Sequence, residues 1–164
     1  MIPFGLAEAT TVRVGHALGA GGGREGVRLA TRAGLVLVIA TQACSALVLV
    51  AGHDAIASVY TADAAVATLA ASLLLFAAAF QFPDGVQVLS AGALRGLRDT
   101  RVPMLLAAFA YWGVGMSTGA WLGLGLGMGP RGMWIGLIAG LVVAAVLMAA
   151  RFLRTSGRLP PKSR

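Results

Sequence analysis

Read for hydropathy alone, the chain falls into five apolar stretches separated by short polar breaks, at about 2–20, 33–59, 66–94, 104–126 and 133–152. About 20 apolar residues cross a bilayer core of about 30 Å, so each stretch predicts a membrane-spanning helix. The breaks carry the expected punctuation. Gly19 to Arg32 is a glycine-rich basic turn that opens the second helix, and Asp63 stands where an N-cap is needed before the third. Pro103 lies in the first turn of the fourth, where proline is tolerated. Glycine then recurs every fourth residue at Gly115, Gly119, Gly123 and Gly127, and again at Gly132, Gly136 and Gly140. Such smooth faces predict that the fourth and fifth helices pack as a close hairpin.

Composition places the chain outside the soluble class, because 58 % of its 164 residues are hydrophobic and only 12 % charged. Mean hydropathy is +0.84. The fold class is all-α integral membrane. Thirteen Lys and Arg against six Asp and Glu leave a net +7, which in a soluble domain would suggest nucleic-acid binding. Here the basic residues cluster between spans with little aromatic interleaving, so membrane topology explains them and nucleic acid is not an expected partner. Residues 21–32 and 95–101 carry three Arg each and residues 151–164 five Lys and Arg, whereas 53–65 carry only Asp54, Asp63 and no base. The positive-inside rule then puts the base-rich breaks and the C-terminus in the cytoplasm and the N-terminus outside. A bundle over 1–153 followed by a basic tail over 154–164 is the expected organisation. The marginally hydrophobic first span has no leader-like signal, which leads us to expect preceding spans.

One carboxylate interrupts the third stretch. Asp84 is the only ionisable group from Val66 to Leu94, a segment about 43 Å long as a helix. An acid near the bilayer centre costs about 2.5–3.5 kcal/mol on insertion scales, and such residues mark ion or proton pathways. Gln81 and Gln87, three residues to either side, extend it into a polar stripe. Pro83 cannot donate to the carbonyl of Ala79, so a free carbonyl is expected beside Asp84, a suitable companion for a small cation. The competing reading is a neutral Asp84 hydrogen-bonded to a neighbouring helix, with Pro83 an ordinary kink. Glu8, about eleven residues from its helix end as Asp84 is from Arg95, is a secondary candidate expected at similar depth. Cys44 supports neither an internal disulfide nor a metal cluster. Gly21, Gly23 and Gly26 match G-x-G-x-x-G but follow a helix, not a strand, so a dinucleotide site is not expected. No catalytic triad, metal-ligand set or Walker sequence points to an enzyme or an ATP-driven pump.

Several separated motifs share one resemblance. Val12-Arg13-Val14-Gly15-His16-Ala17-Leu18-Gly19, Phe80-Gln81 with Asp84 and Gln87, Gly92-Ala93-Leu94-Arg95-Gly96 with Asp99-Thr100 and Pro103, and Gly132-Met133-Trp134-Ile135-Gly136 together resemble the multidrug and toxic compound extrusion (MATE) family, bacterial NorM-like branch. The match covers the chain but only the last five of the family's twelve helices. It implies part of the C-terminal six-helix bundle of a secondary antiporter in the cell inner membrane. Such an antiporter exports organic, often cationic, compounds in exchange for sodium ions or protons, without a cofactor. Its missing N-terminal bundle is an expected partner, with the lipid bilayer. Asp84 falls on the branch's cation-coupling acid, a sodium ligand if sodium is the coupling ion, whereas Glu8 does not match the partner acid. Phe80 stands where other members carry tyrosine. Two further readings are a lipid-linked oligosaccharide flippase of related fold and an inert truncated fragment.

Overall fold

The computed structural model describes residues 2–161. It consists of five helices: α1 (Ile2–Gly19), α2 (Gly23–Tyr60), α3 (Ala64–Gly96), α4 (Arg101–Gly125) and α5 (Pro130–Gly157). No strand occurs among the described residues. The helices α2 to α5 are each long and apolar enough to cross a membrane, whereas α1, interrupted by Glu8 and Arg13, is not. The first stretch forms α1, which packs along α2 and α3.

Local chemistry accounts for the helix ends. The Asp63 carboxylate accepts from the backbone N–H of Ala65 at 2.8 Å and of Val66 at 3.1 Å, capping α3. Pro130 starts α5 where its missing donor costs nothing. The fifth helix runs past the apolar stretch to Gly157, so residues 154–157 are helix and not free tail. The chain then folds back, and the Pro160 carbonyl accepts from Arg24 N–H at the start of α2. Residues 162–164, the end of the expected basic tail, lie outside the described residues.

Glycine sets the helix spacing. Cβ atoms built at Gly92 and Gly96 would lie 2.6 Å from the Ala7 carbonyl and 2.7 Å from the Thr11 carbonyl, which makes α1 and α3 parallel in close register. The Thr11 hydroxyl donates across that contact to the Gly92 carbonyl at 2.8 Å. The predicted hairpin forms, with Gly115 against Gly140, Gly119 against Gly136, and Gly123 against Gly132. Two segments of α4, Phe109–Met116 and Trp121–Gly125, are wound as π-helix. A π-turn holds more residues than the 3.6 of an α-turn, so the alternation brings the repeat to about four. Glycines spaced by four then stay on one line toward α5.

The tightest core lies at the arginine-rich end, where Val14, Val27, Ala93, Leu94, Met148 and Phe152 are buried together. Toward the other end burial fails: Leu47, Val48 and Val59 of α2 are 64–82 % exposed. Apolar surface on that scale is stable only against lipid or another part of a membrane protein.

Candidate functional site

Asp84 sits midway along α3, between Pro83 and Gly85. Pro83 is accommodated within a continuous helix. Gly85 lets α2 approach closely: a Cβ there would fall 2.6 Å from Val38 Cγ1 and 3.3 Å from Gln42 Cγ. Because the helices touch, the Gln42 amide reaches over and donates to the Gln81 backbone carbonyl at 2.9 Å. The Gln81 carbonyl near Asp84 is thereby tied to α2.

Asp84 opens into a cavity of about 450 Å³ together with Gln81 and Val88 of α3, Thr41, Gln42 and Ser45 of α2, and Ile2, Pro3 and Phe4 of α1. Among the described residues it is the only ionisable side chain in that lining. The Gln81 side-chain nitrogen is buried and makes no hydrogen bond among the described residues, which leaves a free donor beside the carboxylate. One carboxylate with hydroxyl and amide oxygens from two helices is a hard-oxygen environment, suited to a small hard cation or a proton.

The expected stripe is divided between two neighbours. Gln81 and Asp84 share the α2-side cavity, whereas Gln87, 8 % exposed, turns toward α4. There Tyr111 of α4 lies near both Gln87 and Asp84. Phe80 points elsewhere, its ring edge-on to Trp134 of α5 at 5.9 Å and 82°.

Glu8 is not level with Asp84. In the parallel register Ala7 lies beside Gly92, so Glu8 is about two turns nearer the arginine-rich end, and it pairs with Arg95 at 2.8 Å. The equal-depth expectation assumed that both helices end together, but α1 runs eight residues, about 12 Å, past the Thr11–Gly96 contact that closes α3. The structure also adds Thr41, Gln42, Ser45 and Tyr111, which sequence reasoning had left among ordinary span residues. The available signal was a run of polar side chains, Thr41-Gln42 and Ser45, inside an apolar stretch.

Comparison with known proteins agrees with this architecture. The MatE family profile matches residues 1–121. The chain is 69 % identical over 159 residues to "Probable multidrug resistance protein NorM" of Xanthomonas campestris, covering 97 % of this chain and 34 % of that protein. It is 46 % identical to "Multidrug resistance protein PmpM" of Pseudomonas aeruginosa, covering 96 % and 34 %. The chain therefore spans about a third of the length of these relatives. Among solved structures it resembles the eukaryotic MATE transporter AtDTX14, with a TM-score of 0.84 at 22 % identity over 96 % of this chain and 36 % of that one. With an inward-facing multidrug resistance MATE family transporter the TM-score is 0.80 at 18 % identity, over 93 % and 36 %. This chain belongs to the MatE family.

Proposed function

We propose that these helices form most of the C-terminal bundle of a multidrug exporter of the bacterial inner membrane, in which Asp84 exchanges a sodium ion or proton against an organic cation. The observation that carries this reading is a lone carboxylate in a polar cavity on a helix otherwise apolar from Val66 to Leu94. The relatives' names, as multidrug resistance proteins, agree with it.

A single carboxylate can be neutralised by one monovalent cation at a time. A coupling ion and a cationic substrate that both need Asp84 must therefore displace one another, which is the logic of exchange. Thr41, Ser45 and the glutamines supply neutral oxygens that replace part of an ion's hydration shell. Binding biases the transporter between its two openings only by the difference in affinity for them. A coupling term of about 1–3 kcal/mol is typical. The orientation proposed is the one that places the arginine-rich ends and the C-terminus in the cytoplasm. In that frame α1 inserts alongside α2 and α3.

The test uses a chimaera in which this chain replaces the matching region of the Xanthomonas campestris relative. Asp84→Asn keeps the side-chain shape and hydrogen bonding but not the charge. We expect normal membrane insertion and loss of gradient-driven dye efflux in vesicles, with sodium and pH gradients imposed separately to identify the ion. Efflux close to that of the parent chimaera under both gradients would remove Asp84 from the coupling role.

A further inference from the structure

A second feature, remote from Asp84, lies where α2, α3 and α5 meet at the arginine-rich end. A groove of about 260 Å³ opens there, headed by Arg28 and Arg32 and floored by Leu35, Val86, Leu89 and Phe152. The two arginines stand four residues apart, one turn of α2, and so present both guanidinium groups on the same side. Just beyond them begins the apolar stretch at residue 33. In a membrane this is the depth at which headgroup phosphates give way to acyl chains.

The charges are uncompensated. Arg95 and Arg151 have carboxylate partners in Glu8 and Asp99, but Arg28 and Arg32 form no ion pair among the described residues, and neither does the nearby Glu25. Arg28 uses its Nε to donate to Ser156 Oγ at 3.3 Å. That bond fixes the guanidinium, and among the described residues its two terminal nitrogens make no hydrogen bond or ion pair. The side-chain hydroxyl of Ser90, on the groove wall in a residue 8 % exposed, makes no hydrogen bond among the described residues. A fixed, forked cation with a second beside it matches a phosphate in geometry and charge, and the apolar floor below matches a hydrocarbon chain. A basic pocket between spanning helices is a physical basis for recognising an anionic lipid headgroup.

We propose that this groove binds one anionic phospholipid from the leaflet at the arginine-rich end, its phosphate held by Arg28 and Arg32 and one acyl chain laid along Leu35, Val86, Ala149 and Leu153. The lipid's single phosphate charge offsets one of the two positive charges at the head of α2, and the bound lipid ties α2 to α5 across their shared groove. The binding is independent of cation coupling at Asp84.

The experiment is native mass spectrometry of the chimaera described above, released from mixed micelles containing equal amounts of phosphatidylglycerol and phosphatidylethanolamine. One phosphatidylglycerol should be retained in preference to the zwitterionic lipid. The Arg28→Gln/Arg32→Gln variant should retain about tenfold less. Arg28→Lys/Arg32→Lys, which keeps the charge but not the forked donors, should retain an amount between the parent and the glutamine variant, and Arg101→Gln, an exposed arginine outside the groove, should change nothing. If the double variant does not fold, Arg32→Gln alone decides, since Arg32 makes no hydrogen bond or ion pair among the described residues and its loss should still lower retention several-fold. Equal retention of both lipids, undiminished retention in the glutamine variants, or an equal loss in Arg101→Gln would overturn the proposal. So would an absence of bound lipid in the chimaera, which is the result expected if a protein segment covers the groove.

Discussion

Replacing Gly85 by alanine should damage the candidate cation site without touching Asp84. The new Cβ would stand 2.6 Å from Val38 Cγ1, whereas carbon atoms rest about 3.5–4.0 Å apart, so the helices must separate by about 1 Å. Rotation of Val38 offers no escape, because it is only 1 % exposed and a β-branched residue in a helix is held in essentially one rotamer. Overpacking of this kind costs about 1–3 kcal/mol. The same displacement stretches the 2.9 Å bond from Gln42 to the Gln81 carbonyl out of range, and interhelical bonds in membranes are worth about 0.6–1.7 kcal/mol. The sum is about 2–5 kcal/mol. The assay is denaturant unfolding in mixed micelles, with Gly5→Ala as control, since nothing lies within 4 Å of a Cβ at Gly5. Gln42→Leu removes the bond but not the spacing, so its cost should be smaller, and the double variant should cost less than the two separately. A Gly85→Ala variant within about 0.5 kcal/mol of the parent would show that the close crossing of α2 and α3 does not position the site.

The same geometry gives three other expected outcomes. Gly136→Ala drives a Cβ into the Gly119 backbone, which cannot rotate away, so thermal unfolding should register a loss at least as large as for Gly85→Ala; an unchanged melting temperature would contradict the hairpin. Glu8→Gln breaks an ion pair whose side chains are 48 % and 38 % exposed, and should cost under about 1 kcal/mol by the same unfolding assay while leaving efflux by the chimaera intact. Loss of coupled efflux in Glu8→Gln would return Glu8 to the list of coupling residues. Reporter fusions after Arg28 and Arg98 should read cytoplasmic and after Asp54 and Pro130 external, and a reversal at two sites would refute the orientation.

Much of the fold was legible because apolar runs and glycine spacing act locally. The Asp63 cap, the turn at Pro130 and the face-to-face glycines of α4 and α5 each follow from residues a few positions apart. What escaped depends on where helices slide against one another. Glu8 and Asp84 have equal offsets from their helix ends, yet Gly92 and Gly96 lock α1 two turns along α3, and no count within one helix contains that shift. The π-wound turns of α4 are likewise hidden, because the sequence displays the spacing of four without the twist that keeps it straight.

The site divides in the same way. Asp84 stands out in sequence because one carboxylate in about 29 otherwise uncharged positions is costly wherever the helix packs. Its companions do not, because a glutamine or tyrosine within a span is tolerated on many faces and declares a role only when a second helix arrives. Gln87 illustrates this. On α3 alone it looks equivalent to Gln81, yet the 120° or so between them turns Gln81 to the cavity shared with α2 and Gln87 to the side of α4. Asp84 lies between those directions, so any sliding of α2 or α4 against α3 alters a polar neighbour of the carboxylate. A cation held there is therefore sensitive to helix positions on both sides, and by reciprocity its binding favours whichever packing offers it more oxygen ligands.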